Sequence, residues 1–170
     1  MIQISIINEQ NRLAVDERQL RAAVELVLHQ AAVVRACVSV AVVDDPTIHQ
    51  LNRQYLDHDY PTDVLSFTLE QSADAVEGEV VVSADTARDR SLDYGWPEEH
   101  ELLLYVIHGT LHLVGYRDGT PKERARMRLR EEACLAHFGL KARYDAADAP
   151  TEGALRPTAP PRARRRKQST

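Results

Sequence analysis

The sequence predicts a single α+β domain, a sheet of about four strands with helices packed on it. Three observations lead there. Four short stretches carry the alternation or β-branched density of strands, and longer stretches between them carry capped helical stripes. The two kinds mix without strict βαβ repetition and without any internal repeat. At 170 residues the chain is one domain's worth of sequence and long enough to bury a core.

In chain order, Ile2, Ile4 and Ile6 alternate with Gln3 and Ser5, which predicts a strand from Met1 to Ile7. Asp16 precedes a helix to about Val34, where Leu20, Val24, Val27, Leu28 and Ala31 form one apolar stripe. VSVAVVDD, residues 38–45, is a β-branched run suited to burial on both faces. Asp45 followed by Pro46 reads as the N-cap and first residue of a short helix to about Tyr55. VLSFTL from Val64 and GEVVVS from Gly78 are two further strands, separated by an acidic, Ala-rich loop. A helix near Ala84 to Leu92 ends around Gly95. Trp96-Pro97-Glu98-Glu99 opens a central helix, with proline and acids in its first turn as the macrodipole prefers. It runs to about Val114 and stops at Gly115, a residue suited to a left-handed terminus. Thr120-Pro121-Lys122-Glu123 is a capping box that starts a last helix to about His137, closed by Gly139.

The formal net charge of −5 is unevenly placed. From Pro150 onward six basic residues face one acid, whereas residues 1–149 hold 15 basic and 25 acidic ones. We therefore divide the chain into a folded domain, residues 1–145, and a basic Pro/Arg-rich tail, residues 146–170, expected to be disordered. Its RARRRK run suits RNA phosphates, with a plain solubilising role as the alternative. The longest strongly apolar run, Leu102 to Ile107, is far too short for a bilayer, and no leader pattern stands at the N-terminus. A cytoplasmic protein without membrane contact is expected. Cys37 and Cys134 form neither a disulfide framework nor a CxxC pair, and both read as small buried side chains.

The chemistry concentrates in HGTLHLVGYRDGT. His108 and His112 stand four apart on the central helix, so both rings leave one face. That spacing suits two nitrogens of one tetrahedral zinc. Gly115 can turn the chain so that Asp118 returns to the same point. Thr120 already fills the capping role next to it, which leaves Asp118 available as a third ligand. A fourth position would stay open for water, as in catalytic zinc sites. The zinc proteases of HExxH type carry a glutamate base directly after the first histidine; here that residue is Gly109, which disfavours amide or peptide hydrolysis. The remaining histidines, His29, His49, His58, His100 and His137, read as surface or satisfied core residues.

These residues resemble the YbeY endoribonucleases, the rRNA maturation factors. His108-Gly109-Thr110-Leu111-His112-Leu113-Val114-Gly115-Tyr116-Arg117-Asp118 follows that family's H-G-x-L-H-L-x-G-Y-D-H. Leu51-Asn52, Tyr55, Asp59 and Pro61-Thr62-Asp63-Val64-Leu65-Ser66-Phe67 follow its upstream motif, and Gly78 to Ser83 its next strand. The resemblance spans about residues 1–140. It implies a reduced metzincin-like zinc hydrolase fold and one Zn2+ per chain. The implied activity is a single-strand-specific endoribonuclease in 16S rRNA 3′-end maturation and ribosome quality control. The implied partners are rRNA and the small ribosomal subunit, with ribosome-assembly proteins beside them. Thr62, Asp63 and Ser66 become candidates for supporting the metal site or touching RNA.

Two positions depart from the family pattern. Asp118 stands where its third histidine is expected, which lowers the charge of a divalent centre from +2 to +1 and makes the donor set harder, so that manganese or another divalent ion becomes an option. Leu56 stands where an arginine is expected beside the scissile phosphate. Arg53 and Arg117 are the candidate replacements, and no other catalytic side chain is assigned. The alternative reading is a non-catalytic ribosome-assembly factor that keeps the fold and the metal site.

Overall fold

A computed structural model describes residues 1–143, and the predicted tail lies outside the described residues. The expected α+β architecture is present, as a four-stranded mixed sheet with five helices among the described residues. The order is β1 (Ile2–Asn8), α1 (Glu17–Gln30), β2 (Arg35–Val43), α2 (Asp45–Leu56), β3 (Val64–Gln71), β4 (Ala75–Ser83), α3 (Ala84–Tyr94), α4 (Glu98–Leu113) and α5 (Pro121–His137). The strands lie in the order β1-β2-β4-β3. β1 and β4 pair parallel to β2, while β3 runs antiparallel on the outer edge of β4.

Alternate residues along the strands serve two cores. Val38, Val40, Val42, Val64, Val80 and Val82 meet α1 and α4 on one face. Val43, Leu65 and Val81 meet Ile48 and Leu56 of α2 on the other. The double burial expected of the Val38 run is real in its second half, because only there does α2 cover the second face. At the other end Cys37 is exposed, contrary to expectation, while Cys134 is buried in α5.

Several boundaries shift for identifiable reasons. α1 ends at Gln30 rather than Val34, since Ala32 takes a left-handed φ of 60° and the chain turns there into β2. The N-cap of α2 is Asp44, whose side chain accepts from the Thr47 amide at 2.9 Å. The Thr47 hydrogen bonds hold the Asp44 carboxyl below its ordinary value, so this cap persists into mildly acidic solution and is lost as pH falls further. Asp45, expected in that role, instead accepts from the Ser83 and Thr86 hydroxyls at 2.5 and 2.8 Å. β4 begins at Ala75 rather than Gly78, because Val76 already pairs with Ala36 of β2. Pro97 stands at the N-cap position of α4 without a side-chain capping bond and precedes its first residue, Glu98. The capping box at Thr120 forms as predicted.

α4 is buried on every side, packed between the sheet and α1, α3 and α5. Such enclosure suits a helix whose apolar residues run all round. Two glycines set its distance from the sheet. A Cβ on Gly109 would come within 2.5 Å of Val80 Cγ1, and one on Gly78 within 2.7 Å of both Leu113 Cδ2 and the Phe67 carbonyl oxygen. The Ser66 hydroxyl donates to the Gly109 carbonyl at 3.0 Å and pins β3 to the helix at this point.

Gly109→Ala should therefore destabilise the fold despite alanine's better helix propensity. Overpacking costs about 1–3 kcal/mol, against about 1 kcal/mol returned by propensity. Denaturant midpoints should also show Gly109→Ala and Val80→Ala to be less than additive in the double variant; strict additivity would mean that the contact at Val80 does not set the spacing.

Candidate metal centre

His108 and His112 project from the last two turns of α4, and the Val114–Gly119 loop carries Asp118 back to them. The loop turns at Gly115, whose φ of 106° is open to glycine and strained for other residues. His108 and Asp118 are buried and His112 nearly so. His112 Nε2 lies 3.1 Å from His108 Nε2 and 3.2 Å from Asp118 Oδ2, and His108 Nε2 lies 3.4 Å from the same oxygen. Ligand atoms of a tetrahedral zinc at about 2.0–2.1 Å stand roughly 3.3 Å apart. The three atoms thus outline one face of such a tetrahedron.

Their hydrogen bonds say which atoms carry protons. His112 Nδ1 faces the Tyr116 carbonyl at 3.0 Å, and a carbonyl can only accept, so Nδ1 is the protonated nitrogen. His108 Nδ1 donates in the same way to the Glu131 carboxylate of α5. In the neutral imidazoles both Nε2 atoms then present lone pairs toward each other and toward a carboxylate oxygen. Three electron-rich atoms converging in a buried space fit a bound cation, and the outer partners fix the ring orientations as they do at histidine metal sites. His108, His112 and Asp118 are the residues that could hold a metal ion among those described.

Glu131 was not foreseen, although its signal is in the sequence. Met127, Glu131, Cys134 and Leu135 are the buried residues of α5, so Glu131 is an acid on the apolar stripe of an otherwise charged helix. A carboxylate there needs a buried partner, and His108 is that partner. The Tyr116 carbonyl carries no comparable sequence signal, because it depends on the path of the loop.

The other predicted residues are placed as follows. Ser66 touches the metal helix through the Gly109 carbonyl. Asp63 Oδ1 accepts from the Val64 amide at 2.8 Å and the Thr62 hydroxyl at 3.3 Å, and the Asp63 carbonyl accepts from the Ser83 amide, so these two residues shape the entry to β3. Buried Asn52 donates to the Tyr60 carbonyl at 2.8 Å and holds the preceding loop against α2. Arg53 forms an ion pair with Asp59 at 3.6 Å, and Asp59 also bonds His49 at 2.8 Å. The His49 hydrogen bond, with help from the Arg53 charge, lowers the Asp59 carboxyl below its ordinary value. Arg117 is exposed beside Asp118. Leu56 is buried in the α2 core. Gly109 turns its missing side chain toward the sheet, so the position after His108 has no room for a glutamate. Among the described residues no helix is long and apolar enough to cross a membrane.

Fold and site together define a small α+β protein with a buried candidate metal centre of two imidazoles and a carboxylate. The sequence profile described as Endoribonuclease YbeY matches residues 5–139. A relative of that name from Rhodopirellula baltica is 47% identical over 117 residues, covering 65% of this chain and 60% of that one. Relatives of the same name from Salinibacter ruber and Carboxydothermus hydrogenoformans are 37% and 40% identical, covering 78% and 80% of this chain and 89% and 97% of theirs. A solution structure of TM1509 from Thermotoga maritima matches with a TM-score of 0.55 over 93% of this chain and 99% of that one; at 23% identity this is a likeness of fold. The chain belongs to the Endoribonuclease YbeY family.

Metal analysis of the purified chain should find close to one divalent ion, lost in His112→Ala and in Asp118→Ala. Glu131→Gln, which leaves all three ligands in place, should weaken binding by about 10–100-fold. Retention of the ion in Asp118→Ala would remove that residue from the ligand set.

Proposed function

We propose that this chain is a metal-dependent endoribonuclease that cleaves single-stranded RNA, with Zn2+ as its ion and 16S rRNA 3′-end maturation and ribosome quality control as its role. Its partners in this reading are rRNA, the small ribosomal subunit and ribosome-assembly proteins, met in the cytoplasm. The observation that carries the reading is the triangle of His108 Nε2, His112 Nε2 and Asp118 Oδ2 in a member of an endoribonuclease family. A divalent ion held there supplies Lewis acidity, which activates water and offsets charge developing on a phosphoryl oxygen.

The chain's own residues do the rest. Glu131 and the Tyr116 carbonyl keep both Nε2 lone pairs inward. Asp118 contributes one negative charge, so a divalent ion at the centre keeps a net +1 and binds an anionic phosphodiester less strongly than a three-histidine centre would. Arg117 is the better placed candidate to restore the missing charge, since it adjoins Asp118 in sequence and takes part in no ion pair among the described residues. Arg53 would first have to leave Asp59.

The second reading, a non-catalytic ribosome-assembly factor, is favoured by Leu56, which packs into the core where the resemblance expects an arginine. Cleavage of a single-stranded RNA by the metal-loaded chain separates the two. We expect cleavage that disappears in His108→Ala and on metal removal, and that falls by roughly 10²-fold or more in Arg117→Ala if that guanidinium stabilises the transition state. Equal rates in Arg53→Ala, Arg117→Ala and the parent would exclude both arginines. Absence of cleavage in a fully metal-loaded parent chain would favour the assembly factor.

A further inference from the structure

The body of the protein is acidic, yet one stretch next to the metal centre is not. Between Gly115 and Arg130 the chain carries Arg117, Lys122, Arg124, Arg126, Arg128 and Arg130 against two acids, Asp118 and Glu123. Both acids are engaged. Asp118 Oδ2 faces the histidine nitrogens, and Glu123 Oε1 accepts from the Gly119 and Thr120 amides at 3.1 and 3.0 Å. Asp118 thus faces the candidate metal centre and one oxygen of Glu123 the helix cap.

Arg117 and Arg126 are both exposed and line one recess, together with Val114, Gly115, Tyr116 and Glu123. Neither has an ion-pair or hydrogen-bond partner among the described residues. In contrast Arg12, Arg35, Arg53 and Arg88 are each in an ion pair. Two guanidinium groups against the single carboxylate of Glu123 leave the recess net positive on an otherwise negative surface. The planar forks match phosphate oxygens. Lys122, one helical turn before Arg126 on α5, extends the charge along the same side. One wall of the recess is the loop that joins His112 to Asp118, so a group seated there lies beside the metal centre.

We propose that the Arg117–Arg126 recess binds a phosphate of the RNA strand that flanks the bond to be cut, an inference that takes its ligand from the endoribonuclease reading. A strand crossing the metal centre presents a regular series of phosphates. One anchored in the recess would set the direction and register of the strand; Arg117 so engaged acts on cleavage by positioning, in place of the transition-state role considered for it above. Arg126 is then a positioning residue contributed by α5. The adjacency to the metal centre favours a nucleic-acid strand over an acidic protein surface as the occupant.

The test is equilibrium binding of a labelled, phosphorothioate-linked single-stranded oligoribonucleotide to the full, metal-loaded chain across a salt series. Arg117→Gln/Arg126→Gln is compared with the parent and with Arg18→Gln, an exposed arginine of α1. Loss of the contact to that one phosphate should make the slope of log K against log salt shallower by about 0.7 and weaken binding about 5-fold at 0.1 M salt. Arg18→Gln should behave as the parent does. Slope and affinity in the double variant equal to those of Arg18→Gln would overturn the proposal and leave an acidic protein as the occupant. Metal content is read in parallel, and loss of the ion in the double variant would also overturn it, by assigning the arginines to support of Asp118. Cleavage of unmodified RNA by the parent keeps the two ideas apart. Cleavage with an unchanged slope sinks the recess alone, and a changed slope without cleavage sinks the nuclease reading and the flanking role while keeping the recess as a phosphate site for RNA. No RNA binding by the parent sinks both.

Discussion

The close approach of α4 to the sheet is the constraint on which the other features rest. Glycine at positions 78 and 109 lets the helix backbone settle against β3 and β4, and the Ser66 hydroxyl then fastens it through a main-chain carbonyl. Once that spacing is set, the side of α4 turned away from the sheet reaches α5, and His108 meets Glu131 there. A bulkier residue in the helix would lift it and move both imidazoles together. Packing and chemistry therefore share one backbone position, where Gly109 lies against Val80 and its neighbour His108 points into the metal centre.

The centre itself is built of few parts. Each imidazole is fixed by one hydrogen bond on Nδ1, one to a carboxylate and one to a carbonyl, and these two acceptors differ in what they do. The Glu131 carboxylate brings an acidic group beside His108 as well as orienting it, whereas the Tyr116 carbonyl only orients His112. Together with Asp118 this makes the protein environment rich in negative charge. A divalent cation in such surroundings would lose part of its Lewis acidity. Arg117 of the adjoining loop and Arg126 of α5 stand on the outer side of that balance.

Most of the fold was legible in the sequence because its signals are local. Caps at Asp16 and Thr120, the glycine stops at Gly95, Gly115 and Gly139, and the valine-rich strands all report on nearest neighbours. The misplaced boundaries at Asp44 and Ala75 depend on partners far along the chain, Ser83 and Thr86 in one case and β2 in the other. The exposure of Cys37 has the same origin, since only the arrival of α2 decides which part of β2 is covered twice. At the candidate metal centre, the three side chains that cluster there lie on one short motif and could be read from spacing. Glu131 could have been found as an acid on a buried stripe, but its partner lies 23 residues away and required the three-dimensional packing of α5 on α4.

The bond between His108 and Glu131 also joins the chemistry of the centre to the attachment of the last helix. α5 packs on α4 through few buried apolar side chains, with Met127, Cys134 and Leu135 around the glutamate. Anything that stabilises the His108 orientation therefore stabilises the docking of α5 as well. An ion bound only by the folded chain contributes RT ln(1 + [L]/Kd), or about 4 kcal/mol when it is present at a thousand times its Kd. Metal supply would then act on the survival of the protein as well as on its reactivity. Without such an ion that contribution would be missing, and the contact between α4 and α5 would rest on the hydrogen bond and those few apolar side chains alone.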